Sequence, residues 1–136
     1  MSQILIVGRD NAVRSQMLEG YLKKKLGQRA KVYSCGIEPS GVDPQAIRAM
    51  AEDKVVIAGH TSDALQEFKG FPFKYILVFD EDLIEPTQAL FPDTDIRHIP
   101  IAAVEGFGGL DRLAAIRELR SLIEAKSNEL IAAQLS

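Results

Sequence analysis

Apolar positions in this chain fall into two kinds of stretch. Some are short unbroken runs; others recur at the spacing of one helix face. Ile4-Leu5-Ile6-Val7 is a run of the first kind and predicts a fully buried strand over residues 3–7. Residues 31–36, 75–79 and 95–99 predict three further strands. Between the first two, Val13, Met17, Leu18, Tyr21, Leu22 and Leu26 share one face of a helix over residues 14–27. Lys23, Lys24 and Lys25 crowd its last turn, where the helix dipole favours cations, and Gly27 is its stop. Asp43-Pro44 opens a second helix, with Asp as cap and Pro at the first helical position, running to about residue 53. Val55-Val56-Ile57-Ala58 reads either as an extended stretch or as a loop packed on the core. Thr61 or Ser62 is the expected cap of a short helix ending near Phe68. Phe68, Phe71, Phe73 and Tyr75 read as packing around a Gly-Phe-Pro turn. A helix over 81–90 follows the third strand, and one long helix over 109–133 closes the chain. Its broad apolar face (Leu113, Ile116, Leu119, Leu122, Ile123, Leu130, Ile131) is wide enough to be all core or to lend a part to a homodimer.

The resulting order is β-α-β-α-α-β-α-β-α. Right-handed crossovers then place helices on both faces of a four-stranded parallel sheet, an α/β architecture. Ligands in such sheets bind beyond the carboxyl ends of the strands. The loop after Val7, the pair Cys35-Gly36 and the run Asp80-Glu81-Asp82 all fall at such ends.

Composition narrows the function classes. The 136 residues carry 16 Lys and Arg against 19 Asp and Glu, a net charge of −3. That predicts no general attraction to nucleic acid or to an anionic membrane. No apolar run is long enough for a signal segment or a membrane span, and Cys35 is a lone cysteine, so no internal disulfide forms. The expectation is one soluble, cytoplasmic domain over residues 1–136. The two histidines stand far apart with no cysteine cluster, which gives no metal-site spacing, and no cofactor is expected.

Any anion binding must then be local, and one stretch offers it. Gly8-Arg9-Asp10-Asn11-Ala12-Val13-Arg14-Ser15 joins the first strand to the first helix. Orphan N–H groups and the helix dipole face such a loop. Arg14 at the helix mouth is either a bidentate oxyanion clamp or a surface cation. Asn11 suits a left-handed turn, and Ser15 is a candidate helix cap. Arg9 and Asp10 could pair with each other and close the pocket. Asp80, Glu81 and Asp82 are accounted for by helix capping, with Asp80 as cap; a carboxylate bordering the anion site is the alternative. Cys35 is either a reactive thiol at the same sheet edge or a small buried hydrophobe.

These residues resemble a known family. Asn11-x-x-Arg14-Ser15-Gln16-Met17-x-Glu19-Gly20 is similar to the phosphate-loop segment of low-molecular-weight protein tyrosine phosphatases and thioredoxin-type arsenate reductases. Tyr33-Ser34-Cys35-Gly36-Ile37-Glu38-Pro39-Ser40-Gly41-Val42-Asp43-Pro44 resembles the second-strand motif of the reductase branch, and Met50-Ala51-Glu52, Gly59-His60-Thr61-Ser62 and Asp80 fall at matching intervals. The resemblance covers residues 3–101 and implies a three-layer α/β/α fold of the phosphotyrosine phosphatase type. It implies an oxyanion loop at residues 8–15, shaped by its Asn and braced by His60.

The same resemblance marks three departures. The family's attacking thiolate stands three residues before the loop Asn, and here that position is Gly8. The general-acid Asp of the phosphatases falls at Ala102, with Glu105 nearby, and the relay cysteines of the reductases have no counterpart. A covalent mechanism without its nucleophile keeps only binding and electrostatic help. Three readings follow: a catalytically silent member that binds a phosphate-like anion, a phosphorylated group or a protein partner; a phosphatase or reductase working by another route through Cys35, Asp10 or water; and an interaction module with a vestigial loop, as monomer or homodimer.

Overall fold

The computed structural model describes residues 2–106 and 111–133. Four strands, β1 (Ser2–Gly8), β2 (Ala30–Gly36), β3 (Tyr75–Val78) and β4 (Asp95–His98), form one parallel sheet in the order β2-β1-β3-β4. The helices are α1 (Arg14–Leu26), α2 (Pro44–Glu52), α3 (Ile84–Leu90) and α4 (Arg112–Ala132). The predicted architecture holds: α/β, parallel, with helices on both faces.

Strand alternation divides the interior. Ile4 and Ile6 face a core shared with α1, α2 and α4, while Leu5 and Val7 face a second core containing Cys35, Phe68, Phe73 and Phe91. At that second core Tyr33, Phe68, Phe71 and Phe73 form a cluster of tilted and edge-on ring contacts, with Phe71 stacked on Phe73 and leaning partly into solvent. Because β1 sends its first crossover to β2 on one side and pairs with β3 on the other, its C-terminal end is the topological switch point of the sheet.

Several local expectations need correction. The helix expected over 81–90 is a 3-10 turn, Glu81–Leu83, followed by α3. Asp80 makes no side-chain cap to it, because its carboxylate is drawn to Arg14 instead. Neither Thr61 nor Ser62 caps the short helix, which is a 3-10 turn at Leu65–Phe68; Thr61 donates to Asp63, and Glu67 accepts the Ala64 N–H at 2.8 Å. Leu122 points to solvent, since it falls a step beyond the arc of α4 that α1 and α2 cover. Of the stretch 109–133, positions 109 and 110 lie outside the described residues; α4 starts behind Asp111, whose side chain accepts from Ala114 N at 2.9 Å. Helix α2 ends in a Schellman turn, with Val55 N donating to Met50 O and Lys54 at φ +61°. A lysine in that left-handed position costs about 1 kcal/mol relative to glycine.

Candidate functional site: a loop at the switch point

The loop after β1 is held by its carbonyls. Arg9 O accepts from Glu38 N (2.9 Å), Asp10 O from Ser40 N (3.0 Å) and Ala12 O from Asp43 N (3.0 Å). Asn11 O accepts from Gln16 Nε2 (3.0 Å) and Ser62 Oγ (3.1 Å). In a trans peptide the next N–H points opposite to the carbonyl. Each anchored carbonyl of residues 9–12 therefore leaves the N–H of the following residue, 10–13, directed away from that carbonyl's partner. Among the described residues only the Ala12 N–H has an acceptor, Asp10 Oδ1 at 3.3 Å.

The residue types match this task. Asn11 has φ +52°, is fully buried, and accepts from Ser15 Oγ at 2.7 Å. Ser15 thus braces the loop from within the helix and is not its cap; Val13 stands at that position. The Asn11 Nδ2 is buried with no partner among the described residues, an unmet donor worth about 1–3 kcal/mol. Gly36 lies against the loop so closely that a Cβ there would stand 2.9 Å from Arg9 O and Asn11 N.

Gln16 was missed by the reading of the sequence. It is fully buried, and its Nε2 donates to Asn11 O and Thr61 O while its Oε1 faces His60 Nδ1 at 3.0 Å. Since the amide nitrogen is committed to two carbonyls, Oε1 is the acceptor and His60 Nδ1 carries the proton. His60 thus reaches the loop only through Gln16. Glu19 was missed as well: it is a buried carboxylate that accepts from Ser34 Oγ, pairs with Lys23, and lies 3.7 Å from His60 Nδ1. Amphipathic spacing gives no signal for a buried acid or amide; only the motif context contains them.

Burial holds the His60 pKa below its ordinary value of 6.5, against the opposing pull of Glu19, with Lys23 adding to the depression. The unfolded chain then binds a proton that the folded state refuses. This contribution to stability is full above pH 6.5 and is lost as pH falls through the folded value. Urea unfolding between pH 7.5 and 5.5 is expected to show falling stability, with the slope reduced in His60→Gln; an unchanged slope would remove His60 from the account.

Both arginines of the loop are already engaged. Arg14 donates to Asp80 Oδ2 and to Ile101 O, each at 2.8 Å, and lies over the Phe79 ring at 5.2 Å. Its side chain is only 10% exposed, so it is neither a free clamp nor a surface cation. Arg9 bonds both oxygens of Asp82, at 2.7 and 2.9 Å, and does not pair with Asp10. These two arginines, with Asp10, Val13, Asp80, Ala103, Val104 and Glu105, line a cavity of about 310 Å³. Three carboxylates face two guanidiniums in it. Ala102 is exposed and is not among the lining residues, whereas Glu105 is.

Cys35 belongs to the opposite side of the sheet. It pairs in register with Val7 and shares the aromatic core with it. It is fully buried, and desolvation pushes its thiol pKa up. A Cβ built on Gly8 would point the other way, to within 3.1 Å of Ser15 Oγ in α1. Among the described residues no group of three or more His, Cys, Asp or Glu could hold a metal ion, and no helix is long and apolar enough to cross a membrane.

Fold and site together define an α/β domain with a side-chain-braced loop at the switch point of a parallel sheet. A family model described as low molecular weight phosphotyrosine protein phosphatase matches residues 3–100. The chain belongs to that family. An arsenate reductase of Staphylococcus aureus (strain N315) is 53% identical over 55 residues, a stretch covering 40% of this chain and 42% of that relative. The matched stretch is thus under half of the relative's length. Among solved structures, an arsenate reductase in the phosphate-binding state superimposes with TM-score 0.80 at 26% identity, over 98% of each chain. A tyrosine phosphatase of Erwinia amylovora gives TM-score 0.80 at 20% identity, over 99% of this chain and 94% of its own, a likeness of fold.

Proposed function

We propose that this chain is a catalytically silent member of its family that acts by binding a phosphate-like anion or phosphorylated group at the loop of residues 8–15. One observation carries the reading: Gly8 ends β1 with its missing Cβ directed at Ser15, while Asn11, Ser15, Gln16, His60 and Gly36 keep the loop frame built. A braced loop stands where the resemblance puts the oxyanion, and the position that the resemblance assigns to the attacking thiolate is a glycine. Cys35 cannot substitute for it, being buried on the far face of the sheet with its thiolate disfavoured. Asp10 spends its carboxylate on the Ala12 N–H and would repel an incoming anion.

Binding is gated by charge. An oxyanion that reaches the loop N–H groups must draw Arg14 away from Asp80. Removing the carboxylate frees the guanidinium and takes away one negative charge at the same time. Calorimetric titration with inorganic phosphate is the test, with arsenate and phosphotyrosine alongside. Asp80→Asn is expected to tighten phosphate binding about tenfold over the unmodified chain, and Arg14→Ala to abolish it. Absence of saturable binding in both the unmodified chain and Asp80→Asn would overturn the reading and leave the loop a structural relic.

A further inference from the structure

A second surface lies apart from the loop cavity, along the stretch that follows α2. Val55 and Ile57 are buried, 4% and 0% exposed, while Val56 between them is 78% exposed and Ala58 is also exposed. That alternation is the signature of a strand with one face on a core. No strand pairs with it: the N–H and C=O of Val56 have no hydrogen-bond partner among the described residues. What seats the stretch is Gly20 on α1, where a Cβ would come within 2.8 Å of Ile57 and 3.0 Å of Val55. The glycine lets the Val55 and Ile57 side chains pack directly on the helix, while the main chain of Val56 stays unpaired among the described residues.

The charge around that edge is one-sided. A groove of about 320 Å³ is lined by Lys23, Lys24, Lys54, Val56 and His60 among others. Lys23 is neutralised by Glu19. Lys24 reaches only the carbonyl of Lys54, at 3.5 Å, and neither Lys24 nor Lys54 has a carboxylate partner among the described residues. The neighbouring Asp53 is turned away to accept from the Tyr21 hydroxyl at 2.6 Å. In a chain of net charge −3, two ammonium groups without a carboxylate partner among the described residues therefore flank an exposed valine and an unpaired strand edge.

We infer that the edge at Val55–Ala58 is a docking surface for an extended acidic segment of a partner protein. The segment adds as a short strand along Val56, places an apolar side chain against it, and sets carboxylates opposite Lys24 and Lys54. Main-chain hydrogen bonds supply the affinity in this mode, and the alternating side chains supply the choice of partner. The surface stands independently of any anion at the loop.

The probe is an end-capped hexapeptide of alternating glutamate and valine, titrated into the uniformly labelled full chain at low salt and followed by amide chemical shifts. Saturable shifts are expected at Lys24, Lys54, Val56 and Ala58, weakening as salt is raised. Lys24→Glu and Lys54→Glu, both exposed and outside the core, are each expected to weaken binding about three- to tenfold, and Val56→Asp to abolish it. The unperturbed remainder of the spectrum shows that each variant is folded. The inference is overturned by absence of saturation, by shifts centred elsewhere, or by equal shifts with a lysine-valine peptide. It is also overturned if inorganic phosphate alone reproduces the shifts, which would mark a free-anion site, or if Val56→Asp binds the peptide unchanged.

Discussion

If the chain is catalytically silent as proposed, Gly8→Cys is expected to raise aryl phosphate hydrolysis by about 10²–10⁴-fold over the unmodified chain for an activated ester. The Cβ of the new residue meets Ser15 Oγ at 3.1 Å, so the hydroxyl must give by a few tenths of an ångström, which a side-chain oxygen can do. The thiol would then sit against Ser15 in the first turn of α1, and a position at a helix N-terminus lowers a thiol pKa toward neutrality. Full family rates are not expected. Position 102, an alanine outside the cavity, offers no carboxyl to protonate the leaving oxygen, and Arg14 remains tied to Asp80. The gain should be large for p-nitrophenyl phosphate, whose leaving group departs as a stable anion, and small for an alkyl ester. If Glu105 serves as the acid instead, Gly8→Cys with Glu105→Gln loses the alkyl ester activity selectively. Alkylation gives a second readout: iodoacetamide at pH 6 should label position 8 and leave buried Cys35 unmodified in the native state. A Gly8→Cys protein that folds, labels no faster than Cys35 and hydrolyses nothing would show that the loop no longer presents its N–H groups to an anion.

The legible part of this protein was the part written in periodicity and in turn chemistry. The run Ile4–Val7 and the helical spacing after it placed β1 and α1 within a residue or two, because a buried parallel strand and an amphipathic helix leave unlike patterns. Asp43-Pro44 placed α2 for the same local reason: its cap bonds, from Gln45 N at 2.9 Å and Ala46 N at 3.2 Å, need only neighbouring residues. Asn11 was legible because a left-handed turn selects its residue type. The illegible part was long-range pairing of charge. Nothing near Asp80 in sequence says that its carboxylate will leave the helix start for Arg14, sixty-six positions away, or that Asp82 will hold Arg9. Those two pairs decide the electrostatics of the site, and each depends on the sheet order that brings the ends of β1 and β3 together. Gln16 and Glu19 were hidden for a related reason: a buried polar residue looks like an error in an amphipathic helix until its partners, Thr61, Ser34 and His60, arrive from other segments.

The pairing of the loop arginines gives the site a resting state of its own. A free guanidinium over loop N–H groups would attract any anion; here the attraction is held in balance by Asp80, Asp82, Asp10 and Glu105. On the proposed reading, a ligand would have to outcompete a fixed carboxylate, which would favour an anion with further contacts over a weakly charged one.

Gly36→Ala is expected to destabilise the protein by about 2–4 kcal/mol, a fall in melting temperature of roughly 10 °C, and to abolish anion binding with it. The added Cβ would meet Arg9 O and Asn11 N at 2.9 Å and the Asp10 carbonyl carbon at 3.0 Å. All three are backbone atoms, which cannot swing aside as a side-chain tip would. Gly36 itself is held in place by its register opposite Gly8 and by donating to Asp63 O at 2.8 Å. The strain must therefore fall on the loop, whose carbonyls would leave Glu38 N and Ser40 N and take the N–H groups that follow them out of alignment. Gly59→Ala is the control: nothing lies within 4 Å of its Cβ, so its effect should stay within about 0.5 kcal/mol. Urea unfolding of the two variants with phosphate titration of the folded proteins separates the outcomes. A Gly36→Ala protein as stable as the control and still binding phosphate would show that the loop backbone yields freely, and would remove the frame on which the anion reading rests.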